Sequence, residues 1–303
     1  MFYYYEKDGK ILASDRSDLP YTPGTPRAGE PIYYLVEGDP ILGRGSFKVN
    51  APGQLLAPHS LEVLDESRLP TLELDEALSA ALDAGQLTAV NTARLGWESI
   101  LTAAPNTGKK RVHILAIGDV GSTLLTGLKL LGGDMISTIG ICDLSDQITA
   151  RWEFEMGQIN LPWDYNAFPD VEVVKPENLF DCDVFVFVAS KGIPPVGSQV
   201  KDVRMAQFEN NAAIVKTYAR MARKANFQGL WCAVSDPVDP LAKTAYLESN
   251  KDEDGNWDGR GLRPEQVQGY GLGVMNARAA YFAKRDEKLS SFLTEGRSFG
   301  PHG

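Results

Sequence analysis

Residues 116–121 form a glycine-rich turn with spacing suited to binding a dinucleotide. The run AIGDVG has the pattern G-x-G-x-x-G with alanine in the first position, and it stands between an apolar run, RVHILAI, and a helical pattern. In such a turn, the central glycine lets the backbone approach a pyrophosphate, and the third lets the helix pack against the strand. The pattern predicts a phosphate-binding turn at Gly118, Asp119, Val120 and Gly121; the alternative is a tight turn without a ligand.

Asp143 is the acid expected to accompany this turn. It ends the next apolar run, STIGICD, 22 residues after Gly121. A carboxylate there accepts hydrogen bonds from ribose hydroxyls and repels a 2′-phosphate, which favours NAD over NADP. Asp119 lies inside the turn itself, either as a solvated turn residue or as a charge that weakens cofactor binding by repulsion.

Two arginines and a histidine have the chemistry to act on a small organic acid. Histidine exchanges a proton near neutral pH, one arginine can grip a carboxylate with paired hydrogen bonds, and another can stabilise charge on a carbonyl oxygen. The resemblance of their segments to a known enzyme family singles out Arg204, Arg278 and His302 for these roles. Taken singly, each arginine would by default be a solvated helix residue, and His302 would be a disordered terminal residue.

Their surroundings resemble the L-lactate/L-malate dehydrogenase family over roughly residues 110–303. Residues 204–215, RMAQFENNAAIV, are similar to the family's R-x-D-L-x-x-x-N-x-x-I-V, and FGPHG resembles G-E-H-G. Three further segments match family motifs. VFVFVASKGIPPVG resembles VV-x-x-AG…PG, and CAVSDPVDPLAKTAY resembles VSNPVD-x-L. GYGLGVMNARAAYF resembles G-x-G-T-x-L-D-x-A-R.

The resemblance implies an NAD-dependent oxidoreductase that acts on a small L-2-hydroxy or 2-oxo acid and forms homo-oligomers. It implies that Arg204 polarises the substrate carbonyl, Arg278 binds the carboxylate and His302 is the acid/base. It also places Asp236 beside the substrate. The cofactor site would gain three residues beyond the turn and Asp143, namely Ala189, Asn211 and Ser235.

The sequence departs from the family pattern at three places. Met275 stands where the family has the aspartate that orients the histidine, and Asp236 stands where it has asparagine. Asp236 adds negative charge near an anionic substrate unless it is protonated or pairs with a nearby base. The chain also ends at Gly303, where the family continues, so we expect an incomplete substrate domain. These departures keep open the alternative of a catalytically impaired, NAD(H)-binding or regulatory protein.

The pattern of strands and helices that would position these residues indicates an α/β fold. From residue 111, four apolar runs alternate with helical patterns, as in a doubly wound, Rossmann-type parallel sheet. We predict three parts: an N-terminal extension over 1–105, the NAD-binding domain over 106–245 and the start of a substrate domain over 246–303. Within the extension, residues 1–70 predict a small β-rich module and residues 73–104 predict two helices.

Composition excludes several classes of function. The 303 residues include 40 acidic and 30 basic side chains, a net charge of −10 that disfavours nucleic acid. The three cysteines lack CxxC spacing, which argues against zinc and disulfides and suits a cytoplasmic protein. No apolar run is long enough to span a membrane. Residues 252–259 alternate oxygen-bearing side chains as calcium loops do, but lack the glycine and glutamate such loops require, so we predict a surface loop and no metal.

Overall fold

The computed structural model describes residues 1–27, 29–41, 43–56, 66–103, 107–192 and 202–300. By their internal contacts these residues divide into two compact units. The first is Met1–Asn106 with Arg263–Glu265, and the second is Thr107–Leu262 with Gln266–Gly303. The division after Asn106 lies one residue beyond the boundary predicted at 105.

The first unit is built on a six-stranded sheet in the order β3-β1-β2-β4-β6-β5. The central strands β2, β4 and β6 run parallel, and the others pair antiparallel with their neighbours. Asp8 and Gly9, both with positive φ, form the tight turn between β1 and β2, as two-residue hairpins require. The strands are β1 (Tyr3–Lys7), β2 (Lys10–Ser14), β3 (Thr22–Pro23), β4 (Ile32–Val36), β5 (Ser46–Lys48) and β6 (Leu87–Asn91).

Of the two helices predicted over 73–104, the second was wrong. The first is α1 (Glu76–Asp83), which Asp75 caps by accepting a hydrogen bond from the backbone N–H of Leu78. The segment that follows is strand β6, and only a short helix, α2 (Ser99–Thr102), comes after it. Because β6 is buried on both faces, its residues do not alternate apolar and polar, and a short apolar run of that kind resembles a helix segment.

The second unit contains a parallel sheet in the order β12-β11-β10-β7-β8-β9. The chain builds outward from β7 in one direction and from β10 in the other, which confirms the predicted Rossmann-type doubly wound sheet. The strands are β7 (Lys110–Leu115), β8 (Ile136–Cys142), β9 (Asp170–Val173), β10 (Val184–Phe187), β11 (Leu230–Ala233) and β12 (Val267–Gly269).

Helices cover both faces of this sheet. The core on one face contains Phe185, Phe187 and Trp231, and the core on the other contains Ile114 and Ile141. The helices are α3 (Asp119–Leu131), α4 (Asp146–Gly157), α5 (Val203–Lys224), α6 (Val238–Ser249), α7 (Leu272–Ala283) and α8 (Phe292–Glu295).

Strand β12 lies beyond the boundary predicted at residue 245, although it pairs with β11 in the Rossmann sheet. Its three residues, VQG, contain no apolar run, so the sequence carried no pattern that marks a strand there. In the ranges described, no helix combines the length and the apolar character that crossing a membrane requires.

His113, in the middle of β7, is a buried neutral histidine. Its Nδ1 lies 2.8 Å from the carbonyl oxygen of Leu179, which can only accept, so Nδ1 carries the proton. Its Nε2 is buried and has no partner in the described part of the chain. Burial lowers the pKa of this imidazole, because protonation would place a charge and a second N–H where no acceptor lies.

We therefore expect the second unit to lose stability as the pH falls below 6.5, the ordinary pKa of histidine. In that range the unfolded chain takes up a proton that folded His113 refuses, so the free energy of unfolding falls by up to about 1.4 kcal/mol per pH unit until the lowered pKa is reached. Urea unfolding between pH 7.5 and 5.5, as approximate limits, measures this loss. His113→Gln should be less stable at neutral pH but lack this slope; an equal slope in both proteins would contradict the assignment.

Candidate functional site

A cavity of about 880 Å³ lies at the carboxyl ends of the parallel strands in the second unit. It opens beside β7 and β10, where the strand order reverses, the usual ligand position in such sheets. Most of the predicted site residues line it, namely Gly118, Asp119, Val120, Gly121, Asp143, Ala189, Ser235 and Asp236. Topology thus brings together residues that are far apart in the sequence.

The two glycines of the turn have different surroundings. Gly118 caps the N-terminus of α3, and a Cβ placed on it would meet no atom within 4 Å. A Cβ on Gly121 would lie 2.1 Å from the carbonyl oxygen of Ala116. Gly121 is therefore required for α3 to pack against the end of β7, whereas Gly118 leaves backbone open to the cavity at a helix N-terminus, where anions are favoured.

Ala116, in the first position of the motif, adopts a left-handed conformation with φ of 75°. An L-residue pays a steric cost there that glycine avoids. We expect Ala116→Gly to raise the free energy of unfolding by about 0.5–1 kcal/mol. Glycine relieves the backbone strain, and this gain exceeds the loss that comes from the greater entropy of glycine in the unfolded chain. Ala213→Gly, on the exposed surface of helix α5, makes the same chemical change and should destabilise. Denaturant midpoints compare the two, and a loss of stability in Ala116→Gly would contradict the strain.

Asp143 connects the turn to the end of β8. One of its oxygens, Oδ2, accepts a hydrogen bond from the backbone N–H of Ile117 at 2.8 Å, and Oδ1 accepts one from Ser145 at 3.1 Å. Each carboxylate oxygen has two lone-pair sites, so one remains on each after these bonds. Asp143 thus fixes the glycine turn and still offers acceptors to a ligand in the cavity.

Asn211 has a different place from the one predicted. It is fully buried and does not line the cavity. Its Oδ1 accepts from the backbone N–H of Lys191 at 3.0 Å, and its Nδ2 donates to the carbonyl oxygen of Asp236 at 2.8 Å and to Ser190 Oγ at 3.2 Å. Because both ends of the amide are occupied, Asn211 holds the two loops at the cavity edge instead of reaching a cofactor.

Ser235 also acts on these loops. Its hydroxyl donates to the carbonyl oxygen of Ala189 at 2.8 Å, which ties the ends of β11 and β10 together at the cavity wall. Both residues line the cavity, and their contact with a cofactor stays a prediction.

Arg204 and Asp236 form an ion pair at the cavity. Arg204 lies in the first turn of α5, and its Nη1 is 3.2 Å from Asp236 Oδ2. The side chains are 50% and 35% exposed, so solvent screens the pair and its contribution to stability is small, roughly 0.2–1 kcal/mol. The sequence left open whether Asp236 is protonated or pairs with a basic side chain. The structure shows the pairing, and the partner is Arg204, the residue predicted to polarise the substrate carbonyl.

The remaining predicted catalytic residues do not meet at this cavity in the described part of the chain. Arg278 is on α7, where it is exposed and outside the cavity lining. Met275 is on the same helix, one turn earlier. His302 lies outside the described residues. The predicted carboxylate-binding role of Arg278 therefore has no geometric support, because the course of α7 leaves its side chain on the surface.

Sequence reasoning missed several residues of the cavity lining, and Lys191 and Tyr218 are two whose side chains carry chemistry. Lys191 follows β10 and places a cation in the lining, and Tyr218 reaches the lining from α5. Burial raises the pKa of Tyr218, so its hydroxyl keeps its proton. The sequence carried no signal that this tyrosine would reach the cavity.

Thiol and metal chemistry have no support in the described residues. Burial raises the pKa of Cys182 to about 12 and that of Cys232 to about 11, so neither forms a reactive thiolate. In the loop over 252–259, hydrogen bonds from Arg223 hold the Asp258 carboxylate and lower its pKa to about 2. Within the described ranges, no group of three or more histidine, cysteine or acidic residues could hold a metal ion.

Comparison with known proteins finds similarity to lactate dehydrogenases. The chain is 26% identical over 195 residues to an L-lactate dehydrogenase of Mycoplasma genitalium, covering 64% of this chain and 56% of that protein. An L-lactate dehydrogenase of Mycoplasma mobile is 22% identical over 194 residues, covering 64% and 55%. The chain thus spans about half the length of the curated relatives it matches.

Comparison with solved structures gives a superposition over part of the chain. A minor L-lactate dehydrogenase from Enterococcus mundtii, in its ligands-bound form, superposes with a TM-score of 0.47 and 17% sequence identity, covering 58% of this chain and 50% of that one. No family model matches the chain.

Proposed function

We propose that the chain is a divergent member of the lactate/malate dehydrogenase family, and that its second unit binds NAD(H) and transfers hydride between the nicotinamide and a small L-2-hydroxy or 2-oxo acid. The similarity to two L-lactate dehydrogenases, at 26% and 22% identity, supports this proposal. One observation carries the proposal. The open backbone at Gly118, the N-terminus of α3 and the Asp143 carboxylate share one cavity at the reversal of strand order. A pyrophosphate needs the first two, and an adenosine ribose needs the third.

The residues present fit the cofactor with one exception. Lys191 adds a positive charge to the lining, but Asp119 adds a negative one in the first turn of α3, near the expected pyrophosphate. The Asp119 carboxylate complements the helix dipole and repels a phosphate, so it weakens binding without blocking it. When bound, nicotinamide supplies the hydride acceptor or donor, a chemistry that no side chain has.

The protein's own groups then have to orient the acid and move its proton. Arg204 would stabilise the carbonyl oxygen of a 2-oxo acid, and His302 would exchange the hydroxyl proton. The Asp236 carboxylate competes with the substrate for Arg204, at 3.2 Å, and repels an anion entering the site. Turnover therefore requires the substrate to displace Asp236 from Arg204.

A second candidate function is NAD(H) binding without dehydrogenase turnover, as in a regulatory protein. Three observations favour it: Arg204 is paired with Asp236, Arg278 is exposed away from the cavity, and Met275 cannot orient a histidine. An imidazole without a carboxylate partner has neither its tautomer fixed nor its charged form stabilised.

Two measurements on the full chain separate these functions. Calorimetry with NADH tests binding, and NADH absorbance in the presence of pyruvate or of oxaloacetate tests turnover. Binding with turnover supports the proposal. Binding without turnover on either acid overturns the enzymatic function in favour of the second candidate. Absence of NADH binding overturns both.

Variants at the ion pair test the role of Arg204. We expect Arg204→Gln to lower kcat about 100-fold with little change in the dissociation constant of NADH, as when one donor to a developing oxyanion is removed. Arg204→Lys should recover only part of the loss, because lysine lacks the planar fork of donors. Asp236→Asn should raise kcat/KM by freeing Arg204.

His302→Gln should abolish turnover, and unchanged activity in that variant would contradict its assignment.

A further inference from the structure

A second cavity, of about 500 Å³, lies within the first unit. It is at the carboxyl ends of the three parallel strands: Ser14 ends β2, Val36 ends β4 and Thr92 follows β6, and all three residues line it. Its volume falls in the range of small-molecule sites, and this edge of a parallel sheet is where α/β proteins usually bind ligands.

The charges of the cavity favour a cation. Among the described residues that line it, three are charged: Asp15, Arg16 and Glu37. Arg16 is already bound to carboxylates, with its Nη1 2.9 Å from Glu37 and its Nε 3.0 Å from Asp18. In the described part of the chain Asp15 has no ion pair, and its carboxylate receives only a weak hydrogen bond, at 3.5 Å, from the hydroxyl of Ser14. The lining is therefore net negative, which disfavours an anionic ligand.

The walls are aromatic, and one of the aromatic side chains brings a hydroxyl group to the cavity. Tyr21, Phe47 and Trp97 line the cavity, with Tyr21 edge-on against Trp97 at 6.4 Å. Tyr34 also lines it and is only 3% exposed, yet its hydroxyl makes no hydrogen bond within the described residues. Because no protein group in the described residues occupies this hydroxyl, a ligand can form a hydrogen bond with it without displacing another partner.

The Tyr34 hydroxyl and the Asp15 carboxylate complement the same kind of group. Burial, with a smaller contribution from Asp15, raises the pKa of Tyr34 to about 12, so the hydroxyl stays neutral and its oxygen can accept a hydrogen bond. An ammonium group has N–H donors for both oxygens and a charge that aromatic faces attract.

We propose that this cavity binds a small organic cation, a protonated amine carried on an aromatic body, with Asp15 and Tyr34 receiving the ammonium and Tyr21, Phe47 and Trp97 enclosing the ring. The site is distinct from the nucleotide cavity, and the proposal does not depend on the function proposed for the second unit.

Three probes that share a phenyl ring test the charge preference: phenethylamine, phenethyl alcohol and hydrocinnamate. Calorimetry or ligand-observed NMR on the full chain should show the amine binding at least about tenfold more tightly than the alcohol, and the anion binding most weakly, as expected for a charge-assisted hydrogen bond. Equal affinity for amine and alcohol, tighter binding of hydrocinnamate, or no binding of the amine would overturn the proposal.

Variants then locate the site. Asp15→Asn should weaken amine binding about tenfold and leave alcohol binding unchanged. Asp8→Asn removes the same charge in the β1–β2 turn, outside the cavity lining, and should alter neither affinity. Tyr34→Phe keeps the ring and removes only the hydroxyl, so it should weaken the amine even if Asp15→Asn folds poorly. Equal losses in Asp8→Asn and Asp15→Asn, or full amine affinity in Tyr34→Phe, would contradict this site.

Discussion

Replacing Gly121 by alanine should destabilise the second unit by about 3 kcal/mol, lowering its melting temperature by about 6–12 °C. The new methyl group would lie 2.1 Å from the carbonyl oxygen of Ala116, and backbone cannot yield as a flexible side chain does. Either α3 moves away from β7 or the turn opens, and both displace the helix N-terminus from the cavity. Calorimetric melting should show the loss of stability, and NADH titration of the protein that remains folded should show a loss of NADH affinity.

Gly118→Ala is the matched control three residues earlier in the same turn. A methyl group there meets no atom within 4 Å, so stability should change by less than about 0.5 kcal/mol. The methyl group would nevertheless occupy the place where a pyrophosphate approaches the backbone, so NADH affinity should fall while the melting temperature holds. Unchanged NADH binding in Gly118→Ala would contradict the position proposed for the phosphates.

Removing the charge of Asp143 should have the largest effect on cofactor recognition. We expect Asp143→Asn to raise the dissociation constant of NADH about 10- to 100-fold, as for the loss of hydrogen bonds to a charged group. The preference for NADH over NADPH should shrink, because the carboxylate no longer repels a 2′-phosphate. Both Asp143 oxygens accept hydrogen bonds from backbone N–H groups, whereas asparagine has only one side-chain oxygen. One of the two N–H groups would therefore lose its acceptor, and the free energy of unfolding should fall by about 1–3 kcal/mol.

Asp119→Asn removes the same charge from the same cavity and should have the opposite effect. Without this carboxylate near the expected pyrophosphate, we expect NADH to bind more tightly, by at most about tenfold. Tenfold corresponds to the removal of about 1.4 kcal/mol of repulsion. Calorimetric titrations of the two variants with NADH and NADPH make the comparison. Weakened binding in both variants would indicate a general loss of structure and contradict the separate roles.

Local pattern was sufficient to predict the Rossmann half of the fold, and it also marked the glycine turn and the acid that line the cavity. The glycine turn follows directly from the strand before it and opens the helix after it, so its neighbours in sequence are also its neighbours in space. Asp143 was predictable for a related reason, since it ends the adjacent parallel strand and adjacent strands present their carboxyl ends together. Strand β6 was not predictable, because a strand buried on both faces has no alternation of its own and depends on partners β4 and β5.

The sequence by itself determined the residue types: a glycine-rich turn, the acid that accompanies it, and two arginines and a histidine in an order that resembles the family. Only the tertiary structure decided which of them meet. Helix α5 brings Arg204 onto Asp236, Asn211 is buried between two loops, and α7 leaves Arg278 on the surface. These outcomes depend on helix orientation and on contacts between distant segments, which local pattern does not encode. The cavity of the first unit belongs to the same class, because Asp15, Tyr34 and Trp97 converge only when three parallel strands align their ends.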